Sequence, residues 1–232
     1  MRTNQTHRVS KYLEKGLDPN FHSDLGETPL TIASSLLEPR DMIMNLYNGG
    51  AHLDFRSRDT LTSMHKAAQL DNDKALNILL ELGGFADVKD SKNLTPLFYA
   101  MINASSIKCV ELLLYNGSII GCKDENNWQE IHYACKLGLS QHLDHLIYYG
   151  ADLNARNNSG NTALHICALL KQESCARILL FRGADKSVRN LSNQTAFETA
   201  IMTGNQSIAE LIEKHKANEI GNFWIFFYLL II

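Results

Sequence analysis

Imidazole and thiol side chains are the common protein ligands for zinc and the common pairing for a thiol nucleophile. They crowd into NTALHICALLKQESCARILLFRGAD, residues Asn161 to Asp185, which holds His165, Cys167 and Cys175. His142 and His145 stand three apart, a spacing that shares one face of a helix and can begin a metal site, but no third ligand follows nearby. The neighbouring carboxylates Asp124 and Glu125 fall in a turn-rich stretch, where solvated charge is the ordinary outcome. Five cysteines at 109, 122, 135, 167 and 175 form no CxxC pair, and the odd number reads as reduced thiols rather than a disulfide framework. No P-loop, GxSxG, HExxH or GxGxxG pattern occurs. The sequence nominates no catalytic residue, cofactor or metal.

What positions these residues is a repeat. Thr28, Thr62, Thr95, Gln129, Thr162 and Thr195 follow one another at 34, 33, 34, 33 and 33 residues, each twelve residues after a glycine: Gly16, Gly50, Gly83, Gly117, Gly150 and Gly183. Five residues after the slot come Ala33, Ala67, Ala100, Ala134, Cys167 and Ala200, so this column demands a small side chain. Two after it come Leu30, Met64, Leu97, Ile131, Leu164 and Phe197, all apolar. Before each glycine, apolar residues at intervals of three and one (Leu76, Leu79, Leu80; Ala176, Leu179, Leu180) mark a second helix. His65, His132 and His165 share one column, one per repeat, and so read as braces rather than a converging site; Cys167 and Cys175 read as small buried side chains. Gly26, Thr60, Asn93, Asn127, Gly160 and Asn193, two before the slot, suit a left-handed turn except for Thr60, where strain or another turn is expected. The period and the "TPL" of Thr28–Leu30 and Thr95–Leu97 resemble the ankyrin repeat, which implies an all-α solenoid of helix pairs with β-turn fingers, about six repeats and no parallel sheet.

Two further columns could meet a partner. Six before the slot stand His22, Arg56, Lys89, Lys123, Arg156 and Arg189, a basic ladder that is either a partner site or an ordinary finger feature. One before it, Leu61, Leu94 and Trp128 follow in consecutive repeats, an apolar stripe that serves either a binding interface or packing between fingers. A net charge of −3 argues against a nucleic-acid binder driven by phosphate neutralisation. No apolar run marks a signal peptide at the start. The final run FWIFFYLLII, Phe223 to Ile232, is ten residues, against the roughly 20 that a helix needs to span a bilayer. It is expected to be frayed, to add nothing to the fold and to be prone to aggregation.

Longer phrases are more specific than the repeat. "KGLDPNFH", "NGGAHLDFRSRD", "WQEIHYAC" and "NTALHICALLKQESCARILLFRGADKSVRN" are similar to the ankyrin region of the Shank family of postsynaptic scaffolds, over about Thr6 to Lys216. The resemblance implies a non-enzymatic protein-interaction module in the cytoplasm at the postsynaptic density. It links receptor complexes to the actin and spectrin cytoskeleton, with a spectrin-type cytoskeletal protein, a Sharpin-like adaptor and the family's own N-terminal domain as partners. The expected layout is an N-terminal extension over 1–5, the repeat domain over 6–216 and an unmatched apolar tail over 217–232, in a fragment or truncated isoform. Two other readings stay open: a membrane-associated ankyrin protein using the tail, and the ankyrin part of a truncated enzyme.

Overall fold

The structure is a computed structural model that describes residues 2–215. The tail Phe223–Ile232 and the expected boundary after Lys216 lie outside the described residues. Thirteen α-helices and no strand occur among them. The chain divides into two compact units, Met1–Asp124 and Glu125–Ile232.

In the first unit, α2 (Pro29–Ala33), α4 (Ser63–Gln69) and α6 (Pro96–Ile102) stack as an inner row. α1 (Arg2–Glu14), α3 (Arg40–Asn48), α5 (Asp73–Glu81) and α7 (Ile107–Tyr115) stack as an outer row. In the second unit, α8 (Glu130–Leu137), α10 (Ala163–Leu170) and α12 (Ala196–Met202) form the inner row, and α9 (Ser140–Tyr148), α11 (Glu173–Phe181) and α13 (Gln206–Lys214) the outer. Each unit is thus a stack of antiparallel helix pairs, as the repeat implies.

The slot residue starts each inner helix from an extended backbone. Thr28 Oγ1 accepts from the Thr31 amide at 3.1 Å and Thr95 Oγ1 from the Phe98 amide at 3.3 Å, satisfying donors that the first turn leaves without intrahelical partners. Pro29 and Pro96 follow, where a missing N–H costs nothing. The small-residue column is buried to 1% or less at all six positions, Cys167 among them, so inner helices approach one another there. The apolar column two after the slot is buried from Leu30 to Leu164, but Phe197, on α12, is only half-buried. α1 packs on α3, with Val9 and Leu13 half-buried and Tyr12 52% exposed.

The six turn residues all take positive φ: Gly26 81°, Thr60 65°, Asn93 61°, Asn127 55°, Gly160 71° and Asn193 60°. Thr60 therefore adopts the same turn as its glycine and asparagine counterparts and carries the strain of a β-branched residue there.

Candidate partner-binding surface

The basic column splits by residue type. Arg56 Nη1 donates to the Thr60 carbonyl at 2.8 Å, Arg156 Nε to the Gly160 carbonyl at 3.2 Å, and Arg189 Nη1 to the Asn193 carbonyl at 2.6 Å. In each case the acceptor is the left-handed turn residue four positions on, so the guanidinium staples its own finger. The column also links one finger to the next: His22 Nε2 bonds the Arg56 carbonyl at 2.8 Å, and Arg156 Nη2 donates to the Arg189 carbonyl at 2.8 Å. Arg189 further pairs with Glu198 Oε2 at 3.0 Å. A guanidinium can do this because its several donors are spread over a rigid plane. Lys89 and Lys123 are exposed at the same column. At its three arginines the column braces the fingers, and of these Arg156 and Arg189 are exposed like Lys89 and Lys123, while Arg56 is half-buried.

The apolar stripe is uneven. Leu94 is 6% exposed, and its backbone is fully engaged, its amide donating to Asp90 Oδ1 at 2.9 Å and its carbonyl bonded by His65 Nε2 at 3.1 Å. Its side chain belongs to the core and offers little surface to a partner. Leu61 and Trp128 are half-buried. The Trp128 ring lies 5.3 Å from that of Tyr133 and 5.8 Å from that of His132. Lys136 Nζ stands 5.4 Å from the Trp128 centroid and 5.5 Å from the Tyr133 centroid, a cation held over two ring faces. Sequence reading found Trp128 but missed Tyr133 and Lys136. Their positions four and seven after the slot, about one helical turn apart, were the available signal.

The histidines are braces. In each, Nδ1 accepts from the slot residue's own amide: Thr62 to His65 at 3.2 Å, Gln129 to His132 at 3.1 Å, and Thr162 to His165 at 3.3 Å. Nε2 reaches finger carbonyls: Leu94 at 3.1 Å for His65, Ala155 at 3.0 Å for His132, and Gln194 at 3.0 Å for His165. An acceptor at Nδ1 and a donor at Nε2 define the neutral tautomer. Burial lowers the pKa of His65 and His165, outweighing the carbonyl bonds that favour the charged form. Asp90 joins the first unit's brace. It accepts from the amides of Lys92 and Leu94 and, at 2.7 Å, from Tyr99 Oη, whose phenol burial and Asp90 push well above its ordinary range.

The cysteines come together more than the repeat suggested. Cys135, Cys167 and Cys175, from α8, α10 and α11, are fully buried and lie close enough to influence one another's ionisation, and Cys175 Sγ lies 4.0 Å from the Ala134 carbonyl oxygen. Burial pushes Cys135 and Cys167 well above the usual thiol range. Sequence reading placed Cys167 and Cys175 as separate core residues and did not connect Cys135. The columns do not show which helices cross at a shared point. His142 occupies the same column as Cys109 and Cys175 and is 8% exposed, while His145 Nδ1 bonds the Gln141 carbonyl at 2.9 Å. Among the described residues, no group of three or more His, Cys, Asp or Glu side chains is placed to hold a metal ion. No helix among them is long and apolar enough to cross a membrane.

Comparison with known proteins agrees with this arrangement. The family described as "Ankyrin repeats (3 copies)" matches residues 35–124, 102–190 and 131–222. The chain is 54% identical over 140 residues to human SH3 and multiple ankyrin repeat domains protein 2, covering 60% of this chain and 8% of that one. It is 52% identical over 137 residues to mouse SH3 and multiple ankyrin repeat domains protein 1, covering 59% of this chain and 6% of that one. A putative ankyrin repeat protein of fowlpox virus is 32% identical over 120 residues, 50% of this chain and 35% of the viral protein. The chain thus spans less than a tenth of the two mammalian relatives. With helix pairs, fingers and braces in the places the repeat requires, the chain belongs to the ankyrin-repeat family.

Proposed function

We propose that this module serves a postsynaptic scaffold, without catalytic activity of its own, and links receptor complexes to the actin and spectrin cytoskeleton. A spectrin-type cytoskeletal protein, a Sharpin-like adaptor and an N-terminal domain of the Shank family are its partners in this reading, in the cytoplasm at the postsynaptic density. Support comes from identity above one half to SH3 and multiple ankyrin repeat domains proteins over a repeat array that carries no catalytic motif. Interface hot spots are enriched in tryptophan and tyrosine, and the observation that carries the reading is Trp128, half-buried against Tyr133 with Lys136 across both rings. The exposed charges of the finger column are Lys89 and Lys123 in the first unit and Arg156 and Arg189 in the second, and Leu61 is a half-buried apolar residue of the first unit.

The experiment is calorimetric titration of a spectrin-repeat fragment and of the N-terminal domain into the chain and its Trp128→Ala variant. An anchor at a hot spot is worth about 2 kcal/mol or more, so affinity should fall at least about tenfold with unfolding still cooperative. Lost thermal stability with unchanged affinity would assign Trp128 to packing within the repeat instead.

A further inference from the structure

The inner helices of the second unit end in a row of exposed apolar side chains. Leu137 closes α8 at 40% exposure, Leu169 and Leu170 close α10 at 39% and 45%, and Ile201 and Met202 close α12 at 49% and 71%. Single exposed leucines are ordinary, but several at neighbouring helix ends make a patch: Leu137 and Leu170 share one column, and Leu169 and Met202 share the column before it. Hydrogen bonds tie these successive helix ends together. Gln172 Nε2 donates to the Lys136 carbonyl at 3.4 Å, and Thr203 Oγ1 to the Ala168 carbonyl at 3.2 Å, with the Asn205 amide on the same carbonyl. The ridge is therefore held as one edge.

Its charge has one sign. α10, ALHICALL, carries no charged residue. Glu130 of α8 is buried, and Glu198 of α12 is taken up by Arg189 and the Thr195 amide. Lys136 and Lys171 flank the apolar side chains and are exposed. Lys171 is also strained: it ends α10 at φ 60°, at the column where α8 and α12 end with Gly138 and Gly204, both at 70°. Asp71 at 54° and Ala104 at 51° take the same conformation at this column in the first unit.

We propose that this edge docks an acidic amphipathic helix from a protein partner. Leucine-type anchors of that helix would lie along Leu137, Leu170 and Met202, with carboxylates facing Lys136 and Lys171. An amphipathic helix presents anchors at three- and four-residue intervals, which suits a ridge crossing parallel helix ends, and complementary charge sets its orientation and excludes basic competitors. The proposal rests on the reading of the chain as an interaction module; it shares Lys136 with the Trp128 face and otherwise stands on Leu137, Leu170, Lys171 and Met202.

The test is fluorescence anisotropy with two synthetic helices, leucine on one face of each and either glutamate or lysine on the other, added to the full chain at low ionic strength. The glutamate helix should bind at least about tenfold more tightly than the lysine helix, since opposite charge favours and like charge opposes the same pose. Lys171→Glu should reduce that preference and Met202→Ser should weaken binding severalfold; both sites are exposed, so the fold should survive. Lys171→Gly should raise the unfolding midpoint while weakening the glutamate helix, a combination that a purely structural residue would not give. Equal binding of the two helices, no binding, or binding indifferent to Lys171 and Met202 would overturn the proposal. So would a dimer on sedimentation that Met202→Ser dissolves, or equal avidity for anionic vesicles, since the occupant would then be a second copy or a lipid surface. Trp128→Ala in parallel separates the two surfaces: loss of the spectrin-type partner with the helix retained leaves both readings intact, and loss of the helix along with it overturns the separate edge.

Discussion

The hydroxyl of Thr60 lies 2.8 Å from that of Ser91 in the following finger, and the same oxygen accepts the Ser91 amide at 3.0 Å. This contact explains how a β-branched residue stays at φ 65°. Backbone strain of this kind costs on the order of 1–2 kcal/mol, and the hydrogen bonds offset part of it. Removing the hydroxyl while keeping the branched shape should expose that balance. Thr60→Val is expected to lose about 1–2 kcal/mol in a urea titration, whereas Thr60→Asn should change stability little, because asparagine fits the turn but gives up the link to Ser91. Equal losses for both variants would mean that the turn is unstrained.

Acid should weaken the braces before it reaches the carboxylates. His65 and His165 have folded pKa values below their ordinary 6.5 because burial favours the neutral ring. Below that value the unfolded chain binds more protons than the folded one, so stability is fully present above about pH 6.5 and falls as pH drops toward the folded pKa values. The carboxylates Glu27 and Glu198 have folded pKa values lowered from 4.5, so their contributions are lost only at more acid pH. Thermal midpoints measured from pH 7.5 down to about pH 5 should therefore slope downward, and His65→Gln with His165→Gln should flatten that slope. An unchanged slope in the double variant would assign it to other groups.

The two residue types of the finger column should part company when removed. Arg156→Ala and Arg189→Ala each break bonds to turn carbonyls and are expected to cost about 1 kcal/mol of stability, at the level of an exposed charge-assisted bond. Lys89→Ala and Lys123→Ala should leave the unfolding midpoint in place and reduce both partner affinity and its salt dependence. Stability losses of the same size at the lysines would show that they too brace the fingers.

The first helix should be the weak end of its unit. Among the described side chains, α1 packs on its outer-row neighbour α3 with half-buried Val9 and Leu13 and exposed Tyr12. In a repeat array each element depends on nearest-neighbour interfaces, so hydrogen exchange over residues 6–20 should run well ahead of residues 160–185. Comparable protection would mean that another segment or partner covers α1.

The buried thiols should be silent until the second unit opens. Cys135, Cys167 and Cys175 are inaccessible, and burial holds Cys135 and Cys167 protonated, so a thiol reagent should label them only at the rate of unfolding. Cys167→Ala should be tolerated, since alanine fills that column in the five other repeats, while Cys167→Leu should destabilise by overpacking, about 1–3 kcal/mol.

What was legible in the sequence was whatever repeats along it. The helix pairs, the small-residue column, the threonine caps, the histidine braces and the left-handed turns each recur every 33 or 34 residues, and a recurrent local requirement leaves a column that can be read without coordinates. Tertiary structure decided what depends on neighbours across repeats. It turned the basic ladder into staples at Arg56, Arg156 and Arg189, because only the folded finger brings a carbonyl within reach of the guanidinium. It buried Leu94 while leaving Trp128 half-covered, although both stand in one column, because burial depends on what lies across from a side chain. It gathered Cys135, Cys167 and Cys175 from different columns into one cluster, since helix crossings are set by packing and not by period.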